Sequence, residues 1–276
     1  METRYLPDNI RYRTMTTKEL RASFLIDTLF EPGKLALIYT NVDRAIVGSA
    51  VPAGSSLTLE AGKEIASSYF TERREVGVIN IGDAGAIRVD DASFEMANCD
   101  FLYIGRGSKT VEFSSKDKTR PAQFYILSYP AHTKHQTAHV PQSECVSSTL
   151  GTSAEANKRT IYKAIHPGGV KSCQLVMGLT VLHEGSIWNT MAAHTHERRS
   201  EVYMYFDFPK EAVVVHFMGL PDETRHIILR DRQVVLSPSW SIHSGAGTRN
   251  YKFVWGMGGE NQEFGDMDHV SMDTLL

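Results

Sequence analysis

Two histidines separated by one residue, His194 and His196, begin the stretch of the sequence whose residue types are best suited to chemistry. On a β-strand, side chains at positions i and i+2 point to the same face, whereas on a helix they diverge by roughly 200°. Residues 202–206 are mostly β-branched or aromatic, which favours a strand. We therefore expect both imidazoles to face one point.

A carboxylate and a third histidine follow this pair. Glu201 comes five residues after His196, an odd offset that would place its carboxylate on the opposite face of one straight strand. The polar residues 197–200 are therefore predicted to turn or bulge, so that Glu201 is the first inward residue of a new strand. Two imidazoles and a carboxylate suit zinc, iron, manganese or nickel. His243, in segment 237–245, is a fourth candidate.

The spacing of these residues resembles a known pattern. His-x-His-x4-Glu, followed by Pro-x4-His, is similar to the two conserved motifs of the cupin superfamily, in which four such side chains hold a metal inside a small β-barrel. The chain departs from these motifs at Phe208 and Trp240, where glycine is usual, and Gly185 lies further from the first histidine than the motif glycine does. The resemblance implies four metal ligands: His194, His196, Glu201 and His243.

Composition is that of an ordinary globular protein. The chain has 276 residues, 42% hydrophobic and 22% charged, which is enough for one large or two ordinary domains. The net charge of −3 gives no reason to expect nucleic acid or a membrane surface as a partner. Three scattered cysteines suggest neither a disulfide framework nor a CxxC zinc site. With no apolar signal segment, the expected location is the cytoplasm.

Local patterns predict a mainly β protein. Residues 1–15 are predicted to be a polar arm, followed by a short amphipathic helix that is capped by Thr16 and Glu19 and ends near Phe30. Many short strand-like segments follow at near-regular spacing, as in an antiparallel sandwich or barrel. A polar stretch over 130–160 reads as a connector. We accordingly expect two domains, 1–150 and 151–276.

The two halves of the sequence resemble each other. Segment 71–76 is similar to 196–202, and segment 100–104 has a counterpart at 234–238. Compatible spacing of both echoes favours an internal duplication. In this alignment Tyr69 and Thr71 stand in place of the first two histidines, and Lys109 in place of the third. The N-terminal half is therefore expected to lack an equivalent metal and to serve a structural role.

The remaining charged candidates have weaker sequence context. His216 alternates with apolar residues and suits either a barrel interior or a hydrogen-bonded core position. Either arginine pair, 73–74 or 198–199, lies in a charged turn, where a guanidinium could also bind an anionic substrate in a bidentate pair. Two further groups of histidines are interpreted as a solvated connector (His132, His135, His139) and as surface or structural residues (His183, His226, His269).

Longer motifs narrow the resemblance to one cupin family. Segments 70–82, 188–191, 194–199, 237–245 and 255–270 resemble the 4-deoxy-L-threo-5-hexosulose-uronate ketol-isomerases. This resemblance implies duplicated cupin (double-stranded β-helix, or jelly-roll) barrels, one Zn²⁺ per chain, a small-molecule uronate substrate from pectin degradation, and a homohexamer. Alternatives are a 5-deoxy-glucuronate isomerase, a metal-dependent cupin oxygenase, and a non-catalytic sugar-binding cupin.

Ketol isomerisation needs a base for the carbon-bound proton beside an ion that polarises the substrate oxygens. Tyr203 and Tyr205 share the predicted face of Glu201, and Glu260 lies in a glycine-rich segment that could reach a barrel mouth. These three residues are the candidates for proton transfer, and the sequence does not choose among them.

Overall fold

The computed structural model describes residues 1–276 and consists mainly of β-strands. It has one α-helix, α1 (Thr17–Phe24), and three 3₁₀ helices: Arg11–Thr14, Phe70–Glu72 and Gln142–Glu144. The first twelve strands are β1 (Glu2–Arg4), β2 (Leu25–Ile26), β3 (Leu35–Thr40), β4 (Ile46–Ala50), β5 (Leu57–Thr58), β6 (Arg74–Asn80), β7 (Gly85–Val89), β8 (Ala92–Met96), β9 (Phe101–Ile104), β10 (Val111–Ser115), β11 (Phe124–Pro130) and β12 (Ala138–Val140). The other twelve are β13 (Val146–Leu150), β14 (Arg159–Ile165), β15 (Val176–Leu182), β16 (Trp188–Asn189), β17 (His194–Thr195), β18 (Arg199–Phe206), β19 (Val214–Leu220), β20 (Glu223–Leu229), β21 (Gln233–Ser237), β22 (Ser244–Gly247), β23 (Lys252–Gly259) and β24 (Asp268–His269).

The chain forms two compact units. The N-terminal unit contains residues 1–4, 28–146 and 164–176, and the C-terminal unit contains residues 5–27, 147–163 and 177–276. Both units take segments from both sides of residue 150, and the predicted domain boundary there stays a prediction. No helix combines the length and the apolar character needed to cross a bilayer.

Both units have the same strand topology. The N-terminal unit has a seven-stranded sheet, β1-β3-β4-β11-β6-β9-β12, and a four-stranded sheet, β5-β10-β7-β8. The C-terminal unit repeats this with β13-β14-β15-β23-β18-β21-β2 and β16-β22-β19-β20, and adds the short pair β17-β24. Strand β6 therefore corresponds to β18, and each is paired on both sides with antiparallel neighbours. The predicted fold class, duplicated β-barrels with one short helix, is confirmed.

The interior of the N-terminal unit is a continuous apolar core. Its buried side chains come from both sheets, which shows that the two sheets pack face to face. Alternate residues of the central strands point inward, as the period of a strand requires. Representative members are Val76, Val78, Ile87, Phe113 and Phe124.

The helix prediction was right at its start and wrong at its end. Thr16 and Glu19 form the predicted capping box, with the Glu19 amide donating to the Thr16 hydroxyl. The helix ends at Phe24, not near Phe30, because Leu25 adopts an extended conformation. Residues 25 and 26 are buried and pair with β21, so a non-local strand contact replaces the last helical turns.

Most of the predicted polar N-terminal arm, residues 1–15, is not buried, but parts of it make ordered contacts. Residues 2–4 pair in parallel with β3. Tyr12 is fully buried, its hydroxyl donates to the Glu223 carbonyl over 2.8 Å, and its ring lies 4.8 Å from that of Trp240. Phe24 also contacts Trp240, with ring centroids 6.4 Å apart. These two aromatic side chains cover the tryptophan that replaces the motif glycine.

The connector over 130–160 is more ordered than predicted. It contains strands β12 and β13. His139, interpreted as part of a solvated loop, lies on β12 with its Nε2 3.3 Å from an Asp100 carboxylate oxygen. The polar sequence concealed these strands because they pair at sheet edges, where alternating burial is weak.

Candidate metal centre

The four predicted ligands come from three neighbouring segments of the C-terminal unit. His194 lies on β17, and a tight turn, in which the Arg199 amide donates to the His196 carbonyl, leads into β18. Strand β18 starts two residues before Glu201, which sits between β21 and β23. His243 follows a second turn, after β21. The turn predicted before Glu201 therefore exists, and it brings the carboxylate back toward the imidazoles.

The donor atoms form a ring of short separations. The Nε2 atoms of His194 and His196 are 3.1 Å apart, and His196 Nε2 is 3.0 Å from Glu201 Oε2. His243 Nε2 lies 2.9 Å from the same carboxylate oxygen and 3.0 Å from His194 Nε2. All four residues are buried, and their ligand atoms lie within 4.8 Å of one another. Donors bound to one ion at about 2.0–2.2 Å lie roughly 3 Å apart when adjacent, so these separations fit a single divalent ion.

Backbone carbonyls fix the orientation of two imidazoles. His196 Nδ1 lies 2.7 Å from the Asp266 carbonyl oxygen, and His243 Nδ1 lies 3.3 Å from that of Ser241. A carbonyl only accepts hydrogen bonds, so each Nδ1 carries the proton and each Nε2 presents its lone pair to the cluster. This tautomer is the one that binds a metal through Nε2.

Electrostatics also favour the metal-binding protonation states. Burial, with His243 as the next cause, lowers the pKa of His194 to about 2, so this imidazole is neutral. Burial alone would raise the pKa of Glu201, but His243 and His196 hold it below the usual range for a carboxyl. Glu201 is thus a buried carboxylate, and positive charge beside it, on the imidazoles or on a bound cation, stabilises it.

A cavity of about 290 Å³ opens onto three of these ligands, His194, His196 and Glu201. Its lining combines apolar side chains with several polar and ionisable ones, as small-molecule sites do. The apolar side chains include Phe253, Trp255, Met257, Phe264 and Met267.

The three candidates for proton transfer occupy different places. Tyr203 lines the cavity, and its hydroxyl lies 3.0 Å from that of Thr190. Tyr205 is buried, but its hydroxyl bonds His216 Nδ1 over 2.8 Å, and the residue does not line the cavity. Glu260 is exposed and also outside the lining. Among the three, only the first can meet a molecule in the cavity.

The pKa values of both tyrosines argue against a role as base. Burial, reinforced by Glu201, raises the pKa of Tyr203 well above its ordinary value. Burial likewise raises the pKa of Tyr205. Both phenols therefore stay protonated at neutral pH and can donate hydrogen bonds, but they cannot remove a carbon-bound proton.

Sequence reasoning missed two ionisable residues on the cavity wall. Arg159, on β14, lines the cavity, and so does His269, which was interpreted as a surface or structural residue. His269 is solvent-exposed and pairs with His194 between β24 and β17. Neither residue belongs to a local motif, so only the fold reveals that they face the metal ligands.

A clamp formed by Arg198 fixes the C-terminal segment beside the cavity. Its guanidinium donates to both carboxylate oxygens of Asp266 over 2.6–3.0 Å and to Asp268 over 2.8 Å. The buried neighbour Arg199 donates to the Asp266 carbonyl, the same oxygen that accepts from His196 Nδ1. The charged turn thus orients a proposed metal ligand through the segment it holds, and Arg198 is occupied by carboxylates of the chain itself.

Four buried side chains that could hold a metal ion lie inside one barrel of a duplicated pair, and this pair of β-barrels is the architecture of a two-barrel cupin. Among solved structures, an IolB-like protein from Salmonella typhimurium matches 90% of this chain and 97% of its own, with a TM-score of 0.73 and 14% identity. An oxalate decarboxylase from Lactobacillus farciminis matches 83% of this chain and 79% of its own, with a TM-score of 0.57 and 9% identity. At these identities the likeness shows the fold alone.

The sequence comparisons are more specific. The KduI/IolB family model matches residues 26–272, and the chain belongs to this family. It is 52% identical over 275 residues to a 4-deoxy-L-threo-5-hexosulose-uronate ketol-isomerase of Caldicellulosiruptor bescii, covering 100% of both chains. It is 49% identical to the Bacillus subtilis protein of the same name, again over 100% of both.

Proposed function

We propose that this protein is an aldose–ketose isomerase that converts 5-dehydro-4-deoxy-D-glucuronate (4-deoxy-L-threo-5-hexosulose uronate) to 3-deoxy-D-glycero-2,5-hexodiulosonate in pectin and polyuronide degradation. The observation that carries the proposal is the buried cluster of three imidazoles and one carboxylate at the wall of a small-molecule cavity. The name shared by full-length relatives at about 50% identity supports the substrate.

His194, His196, Glu201 and His243 would hold the ion, which we propose is Zn²⁺, one per chain. Nitrogen-rich sets of this kind suit zinc, and the same set also binds iron, manganese or nickel. When bound, a divalent ion supplies a Lewis acid that polarises a carbonyl and its neighbouring hydroxyl and stabilises an enediolate.

The side chains around the cavity would supply the remaining steps. Tyr203, kept protonated by burial, would donate a hydrogen bond to a substrate oxygen. The base that moves the carbon-bound proton is assigned to His269, because its imidazole lies on the cavity wall and is not among the four proposed metal ligands. Tyr205 would act indirectly, by supporting the Tyr203 side of the barrel through His216.

The test of function is incubation of the zinc-loaded protein with the lyase-derived 4-deoxy-5-keto-uronate, followed by NMR. We expect the 2,5-diketo product to form with the metal-loaded protein, and not to form when a chelator has removed the metal. Failure of the metal-loaded protein to convert this substrate would refute the proposal. Parallel incubation with 5-deoxy-glucuronate, with oxygen uptake recorded, separates the related isomerase and the oxygenase alternatives. Binding of the uronate without conversion would identify a sugar-binding cupin.

The route of the proton can be followed in heavy water. Proton transfer through an enediolate predicts deuterium at the product carbon that was C1 of the substrate, together with loss of label from substrate labelled at C2. A direct hydride shift predicts complete retention of the C2 hydrogen at C1. The presence of Tyr203 and His269 on the wall, both able to exchange protons, favours the first outcome.

We further propose a homohexamer in the cytoplasm. The exposed strand β13 supports assembly, since it lies on a sheet edge and Val146 leaves 55% of its surface open. Light scattering coupled to size exclusion should give six times the chain mass of 30.8 kDa. A monomeric mass would contradict the assembly.

A further inference from the structure

Arg159 is the cavity's unpaired cation. No other lysine or arginine lines the cavity. The only carboxylate in the cavity lining is that of Glu201, which is one of the four proposed metal ligands. One amino group of Arg159 donates to the Asn157 carbonyl over 2.9 Å, and no carboxylate of the chain forms an ion pair with the guanidinium. The rest of its donor face is therefore available to a molecule in the cavity.

The surroundings of this guanidinium make an anionic partner favourable. Arg159 is half-buried beside apolar side chains, and burial lowers the pKa of its guanidinium, although the group stays charged at neutral pH. A desolvated cation without a counter-ion is costly, and a carboxylate that meets the planar guanidinium with two parallel hydrogen bonds removes that cost. The charge and burial of Arg159 thus favour an anionic ligand, whatever the substrate is.

The other arginines of the C-terminal unit near the metal cluster are already occupied. Arg198 pairs with two aspartates, and Arg199 donates to backbone carbonyls. The arginine pair 198–199 is therefore not available to bind an anionic substrate with two hydrogen bonds, and Arg159 on β14 takes that role. Strand β14 presents Arg159 and Ile161 to the cavity on the same face, because the two are separated by one residue.

We propose that Arg159 binds the substrate carboxylate and so sets the specificity for uronates over neutral sugars. This inference rests on the proposed function. The C6 carboxylate lies at the opposite end of the substrate from C1 and C2, where the isomerisation takes place. Arg159 is accordingly a specificity residue that acts on binding, and it takes no part in proton transfer.

The test compares Arg159→Met and Arg159→Lys with a matched control, Lys163→Met. Lys163 lies on the same face of the same strand, but its ammonium sits 3.8 Å above the Phe264 ring and outside the cavity lining. We expect Arg159→Met to raise KM about ten- to a hundredfold with a smaller change in kcat, since a charged hydrogen-bonded contact made in ground and transition state alike is lost. The KM of Arg159→Lys should lie between those of the wild type and Arg159→Met, because lysine keeps the positive charge but cannot form two parallel hydrogen bonds with a carboxylate. The control should keep the wild-type KM.

Two further readouts separate binding from a structural role. Metal content and melting temperature should be unchanged in Arg159→Met, and methylguanidinium added to Arg159→Ala should lower its raised KM. A KM of Arg159→Met within twofold of wild type would overturn the inference, as would a fall in metal content that accounts for the lost activity.

Binding of the uronate to Arg159 can also be measured without turnover. If the metal-loaded wild type fails to convert the uronate, the proposed function fails, and equilibrium dialysis of the same uronate then decides about Arg159. Retention by the wild type and loss in Arg159→Met would support a carboxylate site. Equal retention by both, or none by the wild type, would overturn it.

Discussion

The two barrels have the same strand order but different interiors. In each, a pair of arginines stands at the start of the central strand. The second arginine is the first residue of the strand and is buried: Arg74 in the N-terminal barrel and Arg199 in the C-terminal one. Two residues further on, the N-terminal barrel has Val76 in its apolar core, and the C-terminal barrel has Glu201 in the metal cluster. This inward position is therefore one of four at which the N-terminal barrel lacks a metal-binding side chain, beside Tyr69, Thr71 and Lys109 in place of the three histidines.

The two buried arginines, Arg74 and Arg199, also differ in their hydrogen-bond partners. Arg74 donates to Ser128 and to the Arg44 carbonyl, contacts that tie strands of its own sheet together. Arg199 donates to carbonyls of the C-terminal segment that orients His196. Both barrels thus have a buried arginine at this position. In the N-terminal barrel it stabilises the sheet, and in the C-terminal barrel it aligns the proposed ligand His196.

The largest expected effect comes from removing a proposed ligand. His196→Ala should lose most of the metal and at least roughly a thousandfold in turnover, because the ion contributes several kcal/mol to the reaction. The counterpart in the N-terminal barrel, Thr71→Ala, should leave metal content unchanged. Elemental analysis of both variants checks this, and full occupancy in the His194→Ala/His196→Ala double variant would refute the assignment.

A smaller loss is expected when the clamp on the C-terminal segment is opened. Arg198→Ala should weaken metal affinity about tenfold, since the Asp266 carbonyl that orients His196 is then held less firmly. Arg73→Ala removes the corresponding arginine of the other barrel and should have no such effect. Competition with a chelator measures both, and equal affinities would show that the clamp plays no part in holding the ligand.

A substitution in the apolar core of the N-terminal barrel should change the stability of the protein and leave its metal content unchanged. Val76→Ala deletes buried methyl groups at the place of Glu201, and we expect a loss of about 2 kcal/mol in the free energy of unfolding. Metal content should not change, because this barrel holds no ligand set of its own. Denaturant unfolding and elemental analysis test the two parts separately, and a drop in metal per chain would contradict the division of roles.

The smallest effect concerns pH. His216 is fully buried, and burial lowers its pKa to about 3 from the ordinary 6.5, so its imidazole takes up a proton on unfolding between these values. The wild type should therefore lose stability as pH falls from 6.5 toward 3, by up to about 1.4 kcal/mol per pH unit from this group. His216→Gln removes that part. Parallel acid dependences of wild type and variant would contradict the assignment.

What the sequence could reveal depended on how local each signal was. The four proposed ligands lie in two short sequence segments with fixed spacing. Strand periodicity predicted a common face for His194 and His196, and the predicted turn over 197–200 was needed to bring Glu201 back to that face. Arg159 and His269 carry no such spacing, because their approach to the cavity comes from sheet order. The strand at Leu25–Ile26 was missed for the same reason, since its pairing with β21 overrides local helix preference.

The central claim is that one barrel binds the metal and the other does not. Crystals of the zinc-loaded protein, measured on both sides of the zinc absorption edge, test it most directly. We predict one anomalous peak per chain, enclosed by His194, His196, Glu201 and His243. A peak among the strands of residues 60–115, or none at the four predicted ligands, would contradict the account.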